Sequence, residues 1–159
     1  MASAQGDYAA AYSYYQDSLA ICKKLGDCSG IAIALLNLGE VAEVDGVGDV
    51  DAAENHFGKA QQLADSLSTS NGTRGNSLGG LGRLAAKRGK KAEARQYVDQ
   101  AIQIFQRLGD PALPEVKQFR DSLGSAPDPV QCRKTCEDLQ AKGELAVPVV
   151  ECVRAVCED

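Results

Sequence analysis

Residues 30–67 read GIAIALLNLGEVAEVDGVGDVDAAENHFGKAQQLADSL, and the spacing of their apolar positions decides the fold. Ile31, Leu35, Leu38 and Ala42 recur at the interval of one helix face, and Val50, Ala53, Phe57, Ala60 and Leu63 do the same further on. Two amphipathic helices are expected. Gly46 and Gly48 lie between them and permit the backbone reversal that an antiparallel pair needs.

The same hairpin returns along the chain. Leu25, Leu67 and Leu108 are spaced by 42 and then 41 residues, and that offset brings Gly6, Gly48 and Gly89 into register. Ala11, Ala53 and Ala94 then coincide, as do Tyr15, Phe57 and Val98, and Ser18, Ala60 and Ala101; Leu38-Gly39 matches Leu81-Gly82. Small residues at fixed places let helix backbones approach, and the large residue between them fills the gap, so the pattern has a cause in packing.

These residues resemble the tetratricopeptide repeat, which is similar in placing Leu-Gly in its first helix, Gly at the turn, and Ala, a bulky residue and Ala in its second. The first full unit supplies Leu38, Gly39, Ala53, Phe57 and Ala60; the second supplies Leu81, Gly82, Gly89, Ala94, Val98 and Ala101. The period exceeds the usual 34 residues or so. Longer loops between repeats explain this, as in the kinesin-light-chain-like branch, whose Asn-Leu-Gly triplet resembles Asn37-Leu38-Gly39. The resemblance implies an all-α, right-handed superhelix of antiparallel hairpins over residues 1–124.

Outward from the hairpin, Met1 to Gly6 read as a leader, and Asp7 to about Lys24 as a helix. By the register this is the second helix of a repeat whose first is missing, so the chain is expected to begin mid-repeat, as a fragment or as an array that starts with a lone helix. Tyr12, Tyr15 and Leu19 would then lack a neighbour, which favours a homodimer through this end. Leu25-Gly26-Asp27 closes the helix with a left-handed glycine. Ser68 to Gly75 read as a polar link, and Gly79, Gly80 and Gly82 crowd the helix after it, either for close packing or as a groove floor kept open for a ligand backbone. A helix over 90–108 ends at Leu108-Gly109-Asp110, and Pro114 suits the start of a short helix to Leu123 that caps the last hairpin.

Gly124 to Pro129 break the composition, so 125–129 is read as a linker and 130–159 as a separate cysteine-rich helical hairpin with helices near 130–141 and 147–157. Facing helices would join Cys132 to Cys157 and Cys136 to Cys152, and a segment this short needs cross-links in place of a core. The arrangement resembles the twin Cys-x3-Cys hairpins of small intermembrane-space proteins, with one extra residue in the second pair. Four thiolates binding zinc, or reduced and packed cysteines, are the alternatives. Disulfides would imply an oxidising compartment or oxidation of a cytosolic protein. Cys22 aligns with Ala64 and Phe105 and reads as core.

The 159 residues carry 17 basic against 22 acidic side chains, a formal charge of −5 that argues against a general nucleic-acid or anionic-membrane surface. No run reaches the 18 or so apolar residues of a membrane span, and no export signal opens the chain, so a soluble protein is expected. The single histidine, His56, aligns with Tyr14 and Tyr97 and occupies a packing slot, which leaves no Ser-His-Asp arrangement to build. The run from Gly72 to Gly82 lacks the Gly-Lys-Ser/Thr ending of a phosphate loop. Pairs such as Glu40 and Glu43 are expected on a solvated face or in a groove, not in acid–base catalysis. A noncatalytic scaffold without metal or cofactor is expected, with a protein or peptide as partner.

Repeats of this type are similar in binding peptides on the concave side, lined by the first helix of each unit. Here that face would present Ile33, Leu36, Asn37 and Glu40, matched by Asn76, Gly79, Gly80 and Arg83, with Lys87 beyond. Chaperone-tail clamps need Lys and Asn where this sequence has Leu36, Gly79, Glu40 and Arg83, which argues against that ligand. Glu40 and Glu43 beside Arg83 and Lys87 make a mixed field suited to a partner of both charges, unless Glu40 simply pairs with Arg83.

Overall fold

A computed structural model of the chain describes residues 4–44, 49–67, 71–124, 129–144 and 148. Among these every regular element is a helix: α1 (Ala4–Leu25), α2 (Cys28–Glu43), α3 (Val50–Ser66), α4 (Asn71–Lys87), α5 (Lys91–Leu108), α6 (Leu113–Ser122) and α7 (Pro129–Ala141). Consecutive helices from α1 to α6 pack on one another, and α2 also touches α4. That last contact, between first helices of adjacent units, turns a row of hairpins into a solenoid.

Local chemistry sets the boundaries. Gly26 closes α1 at φ +68° and Gly109 closes α5 at φ +65°, a left-handed geometry that only glycine adopts without strain. An aspartate follows each. Asp27 accepts the Gly30 amide at 3.0 Å to start α2, and Asp110 accepts the Ala112 amide at 2.8 Å to start the turn into α6. Asp49 caps α3 in the same way, accepting the amides of Asp51 and Ala52. Each Leu-Gly-Asp therefore stops one helix and prepares the next.

The residues in register form the core. Ala53, Phe57, Ala60, Ala94, Val98 and Ala101 are fully buried. Phe57 lies between two helices: a Cβ at Gly39 of α2 would come within 2.7 Å of its ring, and one at Gly80 of α4 within 2.6 Å. Val98 stands in the same relation to Gly82, and Phe105 to Gly75. Glycine at these places is close packing, bought at about 1 kcal/mol of helix propensity each. Charged pairs add to the joints between units. Arg88, in the turn just after α4, reaches both Asp51 and Glu54 of α3, the latter at 2.6 Å, and Arg74 of α4 lies 2.5 Å from Asp65 of α3.

Several expectations are corrected. Helix α1 begins at Ala4, inside the stretch read as a leader, because Ala4 and Gln5 are good helix formers. Residues 71–75, read as part of a polar link, form the first turns of α4, where Gly75 is buried against Phe105 and Ser77 donates its hydroxyl to the Thr73 carbonyl at 2.8 Å. Tyr12 and Leu19 are not left without neighbours; they pack on the core cluster of α2, α3 and α4. The outward residues of α1 are Tyr14 (72% exposed), Ile21 (56%) and Leu25 (75%). Cys22 is a free, half-buried thiol and Cys28 a free, exposed one. Cys136 is disulfide-bonded and buried. Its expected partner Cys152, the side chains of the Cys132 and Cys157 pair, the turn glycines 46 and 48 and, apart from residue 148, the helix expected over 147–157 lie outside the described residues.

Candidate functional site

The first helices of the units, α2, α4 and α6, line one side of the array. Helices α2 and α4 pack directly, whereas α6 lies mainly on α5, against clusters that also include Leu78 and Ala85 of α4. Leu113, Val116 and Phe119 of α6 pack against α5, and Arg120 holds Asp99 at 3.0 Å. Arg95, buried in α5, donates to the carbonyls of Leu123 at 2.7 Å and Gly124 at 3.0 Å, and so ties down carbonyls left open where α6 ends. No local signal in the sequence points to this contact, because donor and acceptor are nearly thirty residues apart.

Between α4 and α6 a cavity of about 230 Å³ remains, with Val98 and Phe105 of α5 beneath it. Asn76, Gly79 and Arg83 form one wall, Ala112, Glu115, Val116 and Phe119 the other, and Glu40 of α2 stands at the end. The glycines of α4 thus divide by role. Gly80 and Gly82 are filled from behind by Phe57 and Val98, but a Cβ at Gly79 would meet nothing nearer than Arg83 Nη1 at 3.8 Å. Close packing accounts for Gly80 and Gly82, while the space at Gly79 is open.

Of the residues expected to line the groove, Glu40, Asn76 and Arg83 surround this cavity. Ile33 is half exposed on α2, and Asn37 is half-buried. Leu36 is not in the groove: it is 6% exposed and belongs to the core, because α2 is covered by α1, α3 and α4 and its buried arc is wider than one stripe. His56, expected in a packing slot, is half-buried and shares a hydrogen bond of 3.2 Å with Tyr12, joining α1 to α3. Burial, aided by Lys59, holds its pKa below the ordinary value.

The charges are arranged differently from the sequence reading. Arg83 grips Glu43, not Glu40: its Nε and Nη2 donate to the two carboxylate oxygens at 2.8 and 2.7 Å. This fork joins α2 to α4 and holds the guanidinium proton more firmly than usual. Lys87 donates to the Glu43 carbonyl at 3.2 Å. Glu43, whose side chain is only 11% exposed, thus collects both cations. Glu40 has neither a hydrogen bond nor an ion pair among the described residues; partial burial raises its pKa, Arg83 opposes the rise, and Glu43 adds to it. No cluster of three or more His, Cys, Asp or Glu side chains among the described residues has the arrangement of a metal site.

The tetratricopeptide repeat family matches residues 75–108, from within α4 to the end of α5, and a second profile of the same repeat matches residues 1–29, which include α1. No curated protein and no solved structure gives a match. The two matches do not single out the kinesin-light-chain-like branch. With repeats matched over residues 1–29 and 75–108, and with the recurring Ala, bulky and Ala positions of α3 and α5 buried in the core, the chain carries repeats of the tetratricopeptide family.

Proposed function

We propose that the chain is a noncatalytic scaffold that holds a peptide segment of a partner protein along α2, α4 and α6. Repeats of this family generally mediate protein–protein interaction. The observation that carries the reading is the open space above Gly79. Drug-sized ligands and cofactors occupy about 300–1,000 Å³. The cavity here, about 230 Å³ and open along the helices, suits one or two side chains of an extended chain.

The test is selection of short random peptides displayed on phage against the full chain, with Gly79→Leu as the counter-target. Leucine would occupy the cavity without disturbing Phe57, which contacts Gly80 and not Gly79. Peptides retained by the parent and released by Gly79→Leu support the groove; peptides held equally by both refute it. Arg83→Glu would be a poor probe: it would break the fork to Glu43 and set three carboxylates together.

A second reading concerns α1. Ala11, Tyr15, Ser18 and Cys22 stand in register with residues fully or nearly fully buried in α3 and α5, yet none of the four is buried. Further round the helix, Ala10, Tyr14, Ile21 and Leu25 form an exposed stripe. The stripe is symmetric about its middle, so an antiparallel copy would set Tyr14 against Ile21 and Ala10 against Leu25. A second copy of this chain is therefore the proposed occupant of that face. Sedimentation of Tyr14→Glu/Ile21→Glu against the parent tests it, and a parent that is monomeric at all concentrations refutes it.

A further inference from the structure

The groove holds five charged side chains, and the ion pairs among them leave a net sign. Glu43 binds Arg83 through both carboxylate oxygens and Lys87 through its carbonyl, so both cations are engaged at one end of the groove. Glu40 and Glu115, which border the cavity from α2 and α6, have no hydrogen bond or ion pair among the described residues. Three carboxylates against two cations leave the groove one charge negative, where the sequence suggested a balanced field. The base of the same cavity is apolar, built from Val98 and Phe105 with Val116 and Phe119 at its side.

We propose that the segment bound in this groove is basic and apolar: a bulky aliphatic or aromatic side chain enters above Gly79, and a neighbouring lysine or arginine lies between Glu40 and Glu115. The proposal rests on the groove reading above and adds the chemistry of the ligand to it. A carboxylate partner would meet Glu40 and Glu115 with no unengaged cation to answer it, and like charges side by side oppose binding. A cation there would meet two carboxylates, an attraction that added salt screens.

The same peptide selection decides it, followed by fluorescence anisotropy of one enriched synthetic peptide against the parent chain, Glu40→Gln, Glu115→Gln and the double variant. Both glutamates are exposed, so these variants are expected to fold as the parent does. The expected result is enrichment of peptides that place Lys or Arg within a few positions of Leu, Ile, Phe or Trp. Binding by the double variant should weaken about tenfold or more, and parent binding should weaken with added salt. Enriched peptides that Gly79→Leu releases but that are acidic or uncharged, or that bind the double variant undiminished, overturn this inference and leave the groove standing. A selection that yields no peptide sensitive to Gly79→Leu overturns both.

Discussion

Replacing Gly79 and Gly80 separately by alanine tests the packing of α4 at two adjacent positions with opposite surroundings. Each substitution gains the same helix propensity, about 1 kcal/mol. At Gly79 that gain stands alone, since the new methyl meets only the tip of Arg83 at 3.8 Å. At Gly80 the methyl would sit 2.6 Å from two carbons of the Phe57 ring, which is fully buried and backed on its other side by Gly39. The ring has no room to withdraw, so the full cost of overpacking applies, about 1–3 kcal/mol. Propensity cancels in the comparison. Gly79→Ala should therefore exceed Gly80→Ala in stability by about 1–3 kcal/mol, at about 2–4 °C of melting temperature per kcal/mol for a chain of this size. Thermal and urea unfolding followed by circular dichroism measure it. Phe57→Leu combined with Gly80→Ala should restore part of the loss, because the shorter side chain vacates the ring position. Equal stability of the two alanine variants would refute the claim that Phe57 is wedged between α2 and α4.

Three further outcomes are expected. The pKa of His56, the single histidine, should lie below its ordinary 6.5. Because the folded state disfavours the imidazolium, that part of the stability is present above the unfolded pKa and is lost as pH falls through the folded one; an isolated imidazole resonance that titrates at 6.5 or above would contradict the packing against Tyr12. Glu40 has the opposite sign: its raised pKa contributes stability below its ordinary 4.5, lost as pH rises through the folded value. Glu40→Gln should thus be more stable than the parent in urea at neutral pH, with the difference vanishing near pH 4. Arg95→Ala should cost about 1.5–3 kcal/mol through lost charged hydrogen bonds and should speed amide exchange in α6 more than in α2, and uniform exchange along the chain would count against its role as an anchor.

The repeat was legible because its cause is local and recurrent: Ala53, Phe57 and Ala60 return as Ala94, Val98 and Ala101, and all six are fully buried. Legibility failed where neighbours decide. Asn71 to Gly75 carry the composition of a loop, yet they are helical because Gly75 accommodates Phe105 from another helix. Leu36 lies off the apolar stripe of α2 and is buried by helices on three sides. Tyr12 and Tyr14 differ by two positions, about 200° around a helix, so a small error of phase exchanges inside for outside. In the groove, Glu40, Asn76 and Arg83 could be placed from register alone. Choosing Glu43 over Glu40 as the partner of Arg83 could not, because one turn of α2 separates them and the decision rests on how α2 meets α4. The anchoring of α6 by Arg95 was equally hidden.

Phe57 is shared by two hairpins, its ring seated against Gly39 of its own unit and Gly80 of the next. The equivalent position one repeat later is Val98, which fills the space at Gly82, and α6 beyond it lies mainly on α5. One seam of the array is thus bolted by an aromatic ring, while the next has only a valine at that place. Unravelling is therefore expected to begin at the α6 end of the array and to reach the first hairpins last.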